Sequence, residues 1–369
     1  MKIKFLRYSP FAFVALAGTL LLGSCKKDND GRTGEIESTA GVYVLCEGNL
    51  GRANSTITYY NNATGAVDNN YYKTVNGTNL GETANDLQRY GSKIYCVVSG
   101  LQGTAQSFVD VMDVKTGKSI KRISFNTAND GYMPRKIAFY QNKAYVSRLD
   151  GKVSRIDTAS LNVDGELALS EALEGLAVSK GKLYIANADY SYSPLYKNGK
   201  NTVVTVVDLA SFTKTKDITV SWNPTKVAAA PNGDIYVACD GNYGNLKPAL
   251  DRINTASDTK VGSNTDYSGY GSLTIGLNSA FVTTSSSSIR SLDVSTGTPG
   301  ANFITDGTSI ALPYGLTINS FNNDLYVFDA ISYTSATGKA YCYGSDGKRK
   351  FEFTTGLLPQ SAVFVYNYK

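Results

Sequence analysis

The chemistry open to this chain is that of carboxylates, basic groups and tyrosines: its 369 residues include 31 Asp and Glu, 36 Lys and Arg and 26 Tyr, but no histidine. Without an imidazole there is no Ser–His triad, no His-ligated zinc or iron and no ordinary proton shuttle near neutral pH. Carboxylates alone can hydrolyse glycosides as a pair or hold Ca²⁺. Glu47, Asp86, Asp150, Glu174, Asp189, Asp240 and Asp329 fall in or beside loops, with Arg52, Arg135, Lys136, Arg148 and Lys226 among them. Charges mixed in this way more commonly form a solvated rim of weak ion pairs. No two acids stand out as a pair, so neither catalysis nor a resident metal or other cofactor is expected.

The tyrosines point instead to binding. Tyr190 and Tyr192 lie in the segment 187–196, Tyr243 in 239–245, Tyr333 in 328–333, and Arg52 and Asn54 in 46–54, all rich in Ser, Gly, Asn or Asp. Tyr71, Tyr72, Tyr132, Trp222, Tyr267, Tyr270 and Tyr314 precede other strand-like runs. Tyrosine among Ser, Gly and Asn supplies rigid amphipathic contact area together with adaptable hydrogen bonding. The bland alternative is that these rings only cover the rim of an all-β protein. The candidate ligand contacts are Arg52, Asn54, Asp86, Arg135, Arg148, Glu174 and Lys226, with Trp222 and the tyrosines 190, 192, 243, 270, 314 and 333.

A repeat must position these residues. A Tyr-centred apolar triplet recurs as Val42-Tyr43-Val44, Ile94-Tyr95-Cys96, Ala144-Tyr145-Val146, Leu183-Tyr184-Ile185, Ile235-Tyr236-Val237, Ala280-Phe281-Val282 and Leu325-Tyr326-Val327. Its mean period of about 47 residues is that of stacked supersecondary units. Behind each triplet lies a polar turn such as Asp113-Val114-Lys115-Thr116-Gly117 or Asp293-Val294-Ser295-Thr296-Gly297, with residue types that supply positive φ or side-chain-to-backbone bonds. A short alternating run ending in a tight turn precedes most triplets, as in 135–142 and 225–233. Each unit therefore reads as four antiparallel strands, here A to D, with the triplet on B.

Seven such units predict an all-β, seven-bladed β-propeller over residues 41–369, since radial closure buries both faces of every sheet. The first triplet has no strand A before it, whereas the tail 359–366 reads as a strand A with no unit after it. The C-terminal strand is thus expected to close the first blade. In such a meander the A–B and C–D turns share one end, and the B–C and D–A connections share the other. From triplet aromatic to turn marker the spacing varies between 12 and 24 residues, so the insertions gather on the B–C and D–A face, the expected binding side.

The first 40 residues read as address. Lys2, Lys4 and Arg7 precede an apolar run from Phe11 to Leu22, about 12 residues against the roughly 20 that span a bilayer, and then comes Leu22-Gly23-Ser24-Cys25. This resembles a bacterial lipoprotein signal over 1–24, which implies an acylated Cys25, a flexible tether over 25–40 and anchorage to the outer membrane. The run Cys25-Lys26-Lys27-Asp28-Asn29-Asp30 also looks like an export signal to the cell surface; a plain solvated linker is the alternative. Removing Lys2, Lys4 and Arg7 lowers the formal charge from +5 to +2, which argues against nucleic acid as a partner. Cys46, Cys96, Cys239 and Cys342 are scattered over separate units without metal-type spacing and are expected to be free and buried.

The triplet-plus-turn unit, for example Gly233-Asp234-Ile235-Tyr236-Val237-Ala238, is similar to the YVTN-type seven-bladed propellers. The opening 41–49 with 54–60 looks like the start of a Bacteroidetes surface-lipoprotein branch of that family, with Cys46 where an Asn would be expected. The resemblance implies capture of cobalamin or another corrinoid on the variable face and its delivery to a TonB-dependent transporter. A glycan ligand, or a protein partner for a scaffold or adhesin, would be served by the same residue types.

Overall fold

The computed structural model describes residues 34–369 other than 102, 127–132, 171, 191–200, 243 and 270. The expected signal peptide, Cys25, Tyr132, Tyr192, Tyr243 and Tyr270 lie outside the described residues.

Among the described residues, twenty-eight strands form seven four-stranded antiparallel sheets, the predicted blades. Blade 1 comprises β1 (Ile36–Cys46), β2 (Thr56–Asn61) and β3 (Val67–Asp68), and β28 (Pro359–Tyr368) supplies its strand A. Blade 2 runs through β4 (Thr83–Tyr90), β5 (Lys93–Ser99), β6 (Phe108–Asp113) and β7 (Ser119–Ser124), and blade 3 through β8 (Pro134–Tyr140), β9 (Lys143–Arg148), β10 (Lys152–Asp157) and β11 (Val163–Ala168). Blade 4 has β12 (Leu173–Ser179), β13 (Lys182–Asn187), β14 (Val203–Asp208) and β15 (Thr213–Thr219). Blade 5 has β16 (Pro224–Ala229), β17 (Ile235–Cys239), β18 (Ala249–Asn254) and β19 (Thr259–Asn264). Blade 6 spans β20 to β23 (Leu273–Ile275, Ala280–Thr283, Ile289–Asp293 and Thr298–Asn302). Blade 7 spans β24 to β27 (Pro313–Ile318, Leu325–Asp329, Gly338–Tyr343 and Arg349–Thr355). The seven A strands contact one another in succession, and β28 touches both β24 and β4, which closes the ring. β1 starts five residues ahead of the expected boundary at 41, because β28 continues to Tyr368 and gives Ile36 a partner.

The two repeated markers touch in space. Tyr184 Oη donates to Asp258 at 2.6 Å and Tyr236 Oη to the Val294 carbonyl at 3.1 Å, so the triplet aromatic of one blade reaches the C–D turn of the next. Gly117 sits in the corresponding turn of blade 2 at φ 67°, where an added Cβ would lie 3.4 Å from Tyr43 Oη and 2.7 Å from the Tyr71 ring. Seven apolar clusters fill the seven interfaces between blades, from Tyr43 and Leu45 against Leu87 and Ile94 round to Val42 and Val44 against Tyr326 and Phe328. Each buried ring contributes about 2 kcal/mol through loss of hydrated apolar surface.

The sole helix among the described residues, α1 (Tyr71–Asn76), was not anticipated. It ends at Gly77, whose left-handed conformation (φ 73°) lets its N–H close on the Lys73 carbonyl. Tyr71 Oη donates to the Thr116 carbonyl in the C–D turn of blade 2, and Tyr72 Oη donates to the fully buried Asp110 at 2.6 Å. These two tyrosines, expected on the binding face, instead knit blade 1 to blade 2, and Tyr267, also expected there, is buried.

The four described cysteines are free and buried. Burial pushes the Cys342 thiol up to about 12, with Asp324 adding to the effect, and raises the other three as well. Thiolate is the reactive form, so a disulfide reagent at pH 8 is expected to leave these four unlabelled in the native protein and to label all four in guanidinium. Labelling without denaturant would show that the interfaces between blades open.

Candidate functional site

At the mouth end, six of the seven A strands carry a register irregularity close to their first residue: Ala84/Asp86, Pro134/Ile137, Leu173/Leu176, Pro224/Lys226, Pro313/Gly315 and the start of β28. A bulge re-aims the side chain that follows it, and proline is tolerated at the first position of a strand. The residues so presented are Asn85 on β4, Arg135 and Lys136 on β8, Glu174 on β12, Thr225 and Lys226 on β16, Tyr314 on β24 and Gln360 on β28. All line one cavity of about 450 Å³. Its remaining wall comes from B–C connections, through Glu47, residues 188–190, Asp240 and Tyr333, and from Asn223 on a D–A link. The cavity thus opens on the face where the sequence gathers its insertions.

Two tyrosine–carboxylate pairs flank one guanidinium. Tyr314 Oη donates to Glu47, and Tyr190 Oη donates to Glu174 Oε1 at 2.5 Å. Arg135 donates through Nε to that same Glu174 oxygen at 2.8 Å and through Nη1 to Asn85 Oδ1 at 2.7 Å. Lys136 Nζ bonds the Asn85 carbonyl. Burial opposes the charge on Arg135, but Glu174, Tyr190 and Glu47 outweigh it and hold its pKa above the ordinary value. Burial and then Glu47 raise the Tyr314 pKa, so this hydroxyl stays a donor at neutral pH. Across the cavity Thr225 Oγ1 holds Asp240 at 2.7 Å.

Six of the expected contacts meet here: Arg135, Glu174, Tyr190, Lys226, Tyr314 and Tyr333. Trp222 stands behind the wall, where its indole N–H donates to Asp189 Oδ2 at 3.1 Å, so it positions a lining residue. Asp86 is buried and accepts from the backbone N–H of Leu87 and Ile137, both at 2.9 Å, which fixes the bulge of β4 against β8. Arg148 is turned into its own blade, with Asp150 on Nε and Nη2, Ser154 at 2.8 Å and Glu166 on Nη1. Asn54 and Arg52 are exposed in the first B–C loop, where Asn54 Oδ1 accepts from the Asn49 N–H at 2.8 Å. None of these last five lines the cavity. Asn85, Asn223, Thr225 and Gln360 do, and were not foreseen. The signal that finds two of them is the recurring proline at the start of strand A, since Pro134, Pro224, Pro313 and Pro359 each precede a cavity residue.

The sequence profile of a family described as a domain of unknown function, DUF5074, matches residues 40–357. This chain belongs to the DUF5074 family. The match covers the blades from β1 through β27 and ends just before the closing strand. No curated protein matches the chain. Among solved structures it is similar to a candidate 6-phosphogluconolactonase from Bacteroides uniformis, at 11% identity and TM-score 0.60, covering 89% of this chain and 100% of that one. It is also similar to the dihydro-heme d1 dehydrogenase NirN in complex with DHE, at 11% identity and TM-score 0.58, covering 89% of this chain and 76% of that one. Likeness at this identity speaks for the propeller fold alone.

Proposed function

We propose that this DUF5074 propeller is a lipid-anchored protein of the outer-membrane surface that captures an external small molecule in its mouth and delivers it to a TonB-dependent transporter. The observation that carries this reading is the cavity itself, about 450 Å³ ringed by polar side chains from six blades, a size within the range of small-molecule sites. The place of the anchor agrees with it. β1 runs from Ile36 to Cys46, and Cys46 pairs with Pro359 at the mouth while Ile36 pairs with Tyr368 at the other end. A lipid on Cys25 would therefore tether the domain by its opposite face, through a segment that extends at most about 35 Å. The mouth is left clear. Binding without turnover fits a site in which the hydroxyls of Tyr190 and Tyr314 are already donated to carboxylates.

The YVTN-type resemblance favours a corrinoid as ligand, and a glycan is the other class that such a mouth serves. Purified protein mixed with cyanocobalamin, with glycans in parallel, is expected to give a complex on gel filtration with one of them. The complex should raise the melting temperature, by mass action on the native state. If neither class shifts the melting temperature while a protein partner co-purifies from the outer membrane, the scaffold or adhesin role replaces capture.

A further inference from the structure

The end of the ring opposite the mouth carries a patch of lysines. Lys115 and Lys118 are exposed in the C–D turn of blade 2. Helix α1 is bonded onto that turn, through Tyr71 to the Thr116 carbonyl and through Asn76 to Gly117 and Ser119, which brings the exposed Lys73 beside it. Lys93 stands on β5 opposite Asp113, and Lys121 on β7 reaches the next C–D turn, where its Nζ bonds Asn162 at 2.8 Å. None of these five lysines forms an ion pair with a described residue. The acids on the same elements at this end are Asp68 and Asp113, whose carboxylates accept from the N–H groups of their own turns. Two A–B turns at the same end add apolar groups: Leu277 in blade 6 is 72% exposed, and Phe321 in blade 7 is 37% exposed beside Tyr366, with ring centroids 6.1 Å apart.

We propose, resting on the lipid-anchored reading above, that this face docks on the bilayer that holds the anchor. The lysine patch meets anionic lipid headgroups, Leu277 and Phe321 sit in the interface, and the mouth is turned outward. The path of the chain names the occupant. β1 begins at Ile36 in blade 1, with the lysines of blade 2 on one side of it and Phe321 of blade 7 on the other. A lipid on Cys25 holds this end of the ring within about 35 Å of the bilayer, and such tethering makes even a weak patch effective by raising its local concentration. The chemistry agrees with the path. Lysines attract anionic headgroups at short range, and apolar and aromatic side chains beside them suit the boundary between headgroup and acyl chain.

The test places the acylated mature protein in vesicles of phosphatidylethanolamine with a quarter phosphatidylglycerol and a trace of rhodamine lipid as energy acceptor. A donor dye is attached through Leu277→Cys or, at the mouth, through Leu50→Cys. Both positions are exposed, and the four buried cysteines stay unlabelled. Energy transfer should be severalfold stronger from position 277 than from position 50. The difference should shrink in phosphatidylcholine vesicles and in about 0.5 M salt, where the screening length falls below about 5 Å. Lys73→Gln, Lys115→Gln and Lys118→Gln should each lower the ratio of docked to lifted domain by about fivefold. All three side chains are exposed, so the melting temperature should not move. Equal transfer from the two positions, stronger transfer from position 50, or a difference that neither salt nor these variants reduce would overturn the inference and leave the anchor standing. Mass spectrometry of the protein from its native membrane reads the anchor separately: an unacylated Cys25 would remove the anchored reading and this inference with it.

Discussion

A chain that ends at Leu358 is expected to be recovered as aggregate. The missing strand β28 pairs with β1 from Ile36↔Tyr368 to Cys46↔Pro359, and its side chains alternate between two interfaces. Val363 and Val365 fill the cluster between blades 1 and 2, and Ala362 and Phe364 that between blades 7 and 1. Arg89 of blade 2 also holds its backbone, with Nη1 bonding the Phe364 carbonyl at 3.2 Å. Three large apolar side chains and one alanine, at up to about 3 kcal/mol each, come to roughly 6–10 kcal/mol. That rivals the whole stability of an ordinary domain, about 5–15 kcal/mol. The truncation also bares the inner edge of β1, an invitation to pairing between chains. Soluble yield and a melting curve by circular dichroism read the outcome, and a synthetic peptide of residues 359–369 added during refolding should restore a cooperative melt. A truncated protein that is soluble and unfolds cooperatively on its own would show that the ring does not depend on its last strand.

Arg148→Met is expected to cost about 3 kcal/mol of stability while leaving ligand affinity unchanged. The Arg148 side chain is only 2% exposed and its guanidinium is shared among Asp150, Glu166 and Ser154. Removing one partner of a buried charge cluster strands the others, at about 3–5 kcal/mol when all are buried. Glu166 is 41% and Asp150 20% exposed, and water can take up part of their charge, so the lower figure applies. For a domain of this size about 3 kcal/mol corresponds to a fall in Tm of roughly 4 °C. Arg135→Met should behave differently, because Arg135 has spare donor capacity in the cavity: it should weaken the bound ligand directly. Equal loss of affinity in the two variants, measured on folded protein, would mean that Arg148 reaches the ligand after all.

These two arginines show how far local pattern reaches. Both follow a recognisable strand signal in blade 3, and both fall on the face that the loop lengths single out. Arg135 follows the bulge at the start of an A strand and is turned into the cavity. Arg148 ends the adjacent B strand and is turned toward Ser154 and Glu166 on β10 and β11. Side chains alternate with a period of two along a strand, so a one-residue irregularity reverses which way a residue looks. Asp86 is the converse case: its carboxylate is spent on the backbone of the bulge, and Asn85 beside it takes the place at the cavity wall. Tyr71 and Tyr72 precede a strand as Tyr314 nearly does, yet a single helical turn carries them to the seam between blades.

By itself the sequence determined the number of blades, the strand order within each, the closure by the tail and the face that carries the long connections. All of these depend on a repeated division of apolar and turn-forming residues, and the chain displays that division locally, seven times over. Only the tertiary structure decided which polar residues on that face converge on one cavity and which are consumed in holding the blades. Convergence arises when six separate strands, up to about 275 residues apart in sequence, are bent inward at their first residues. No local stretch records where the others will end.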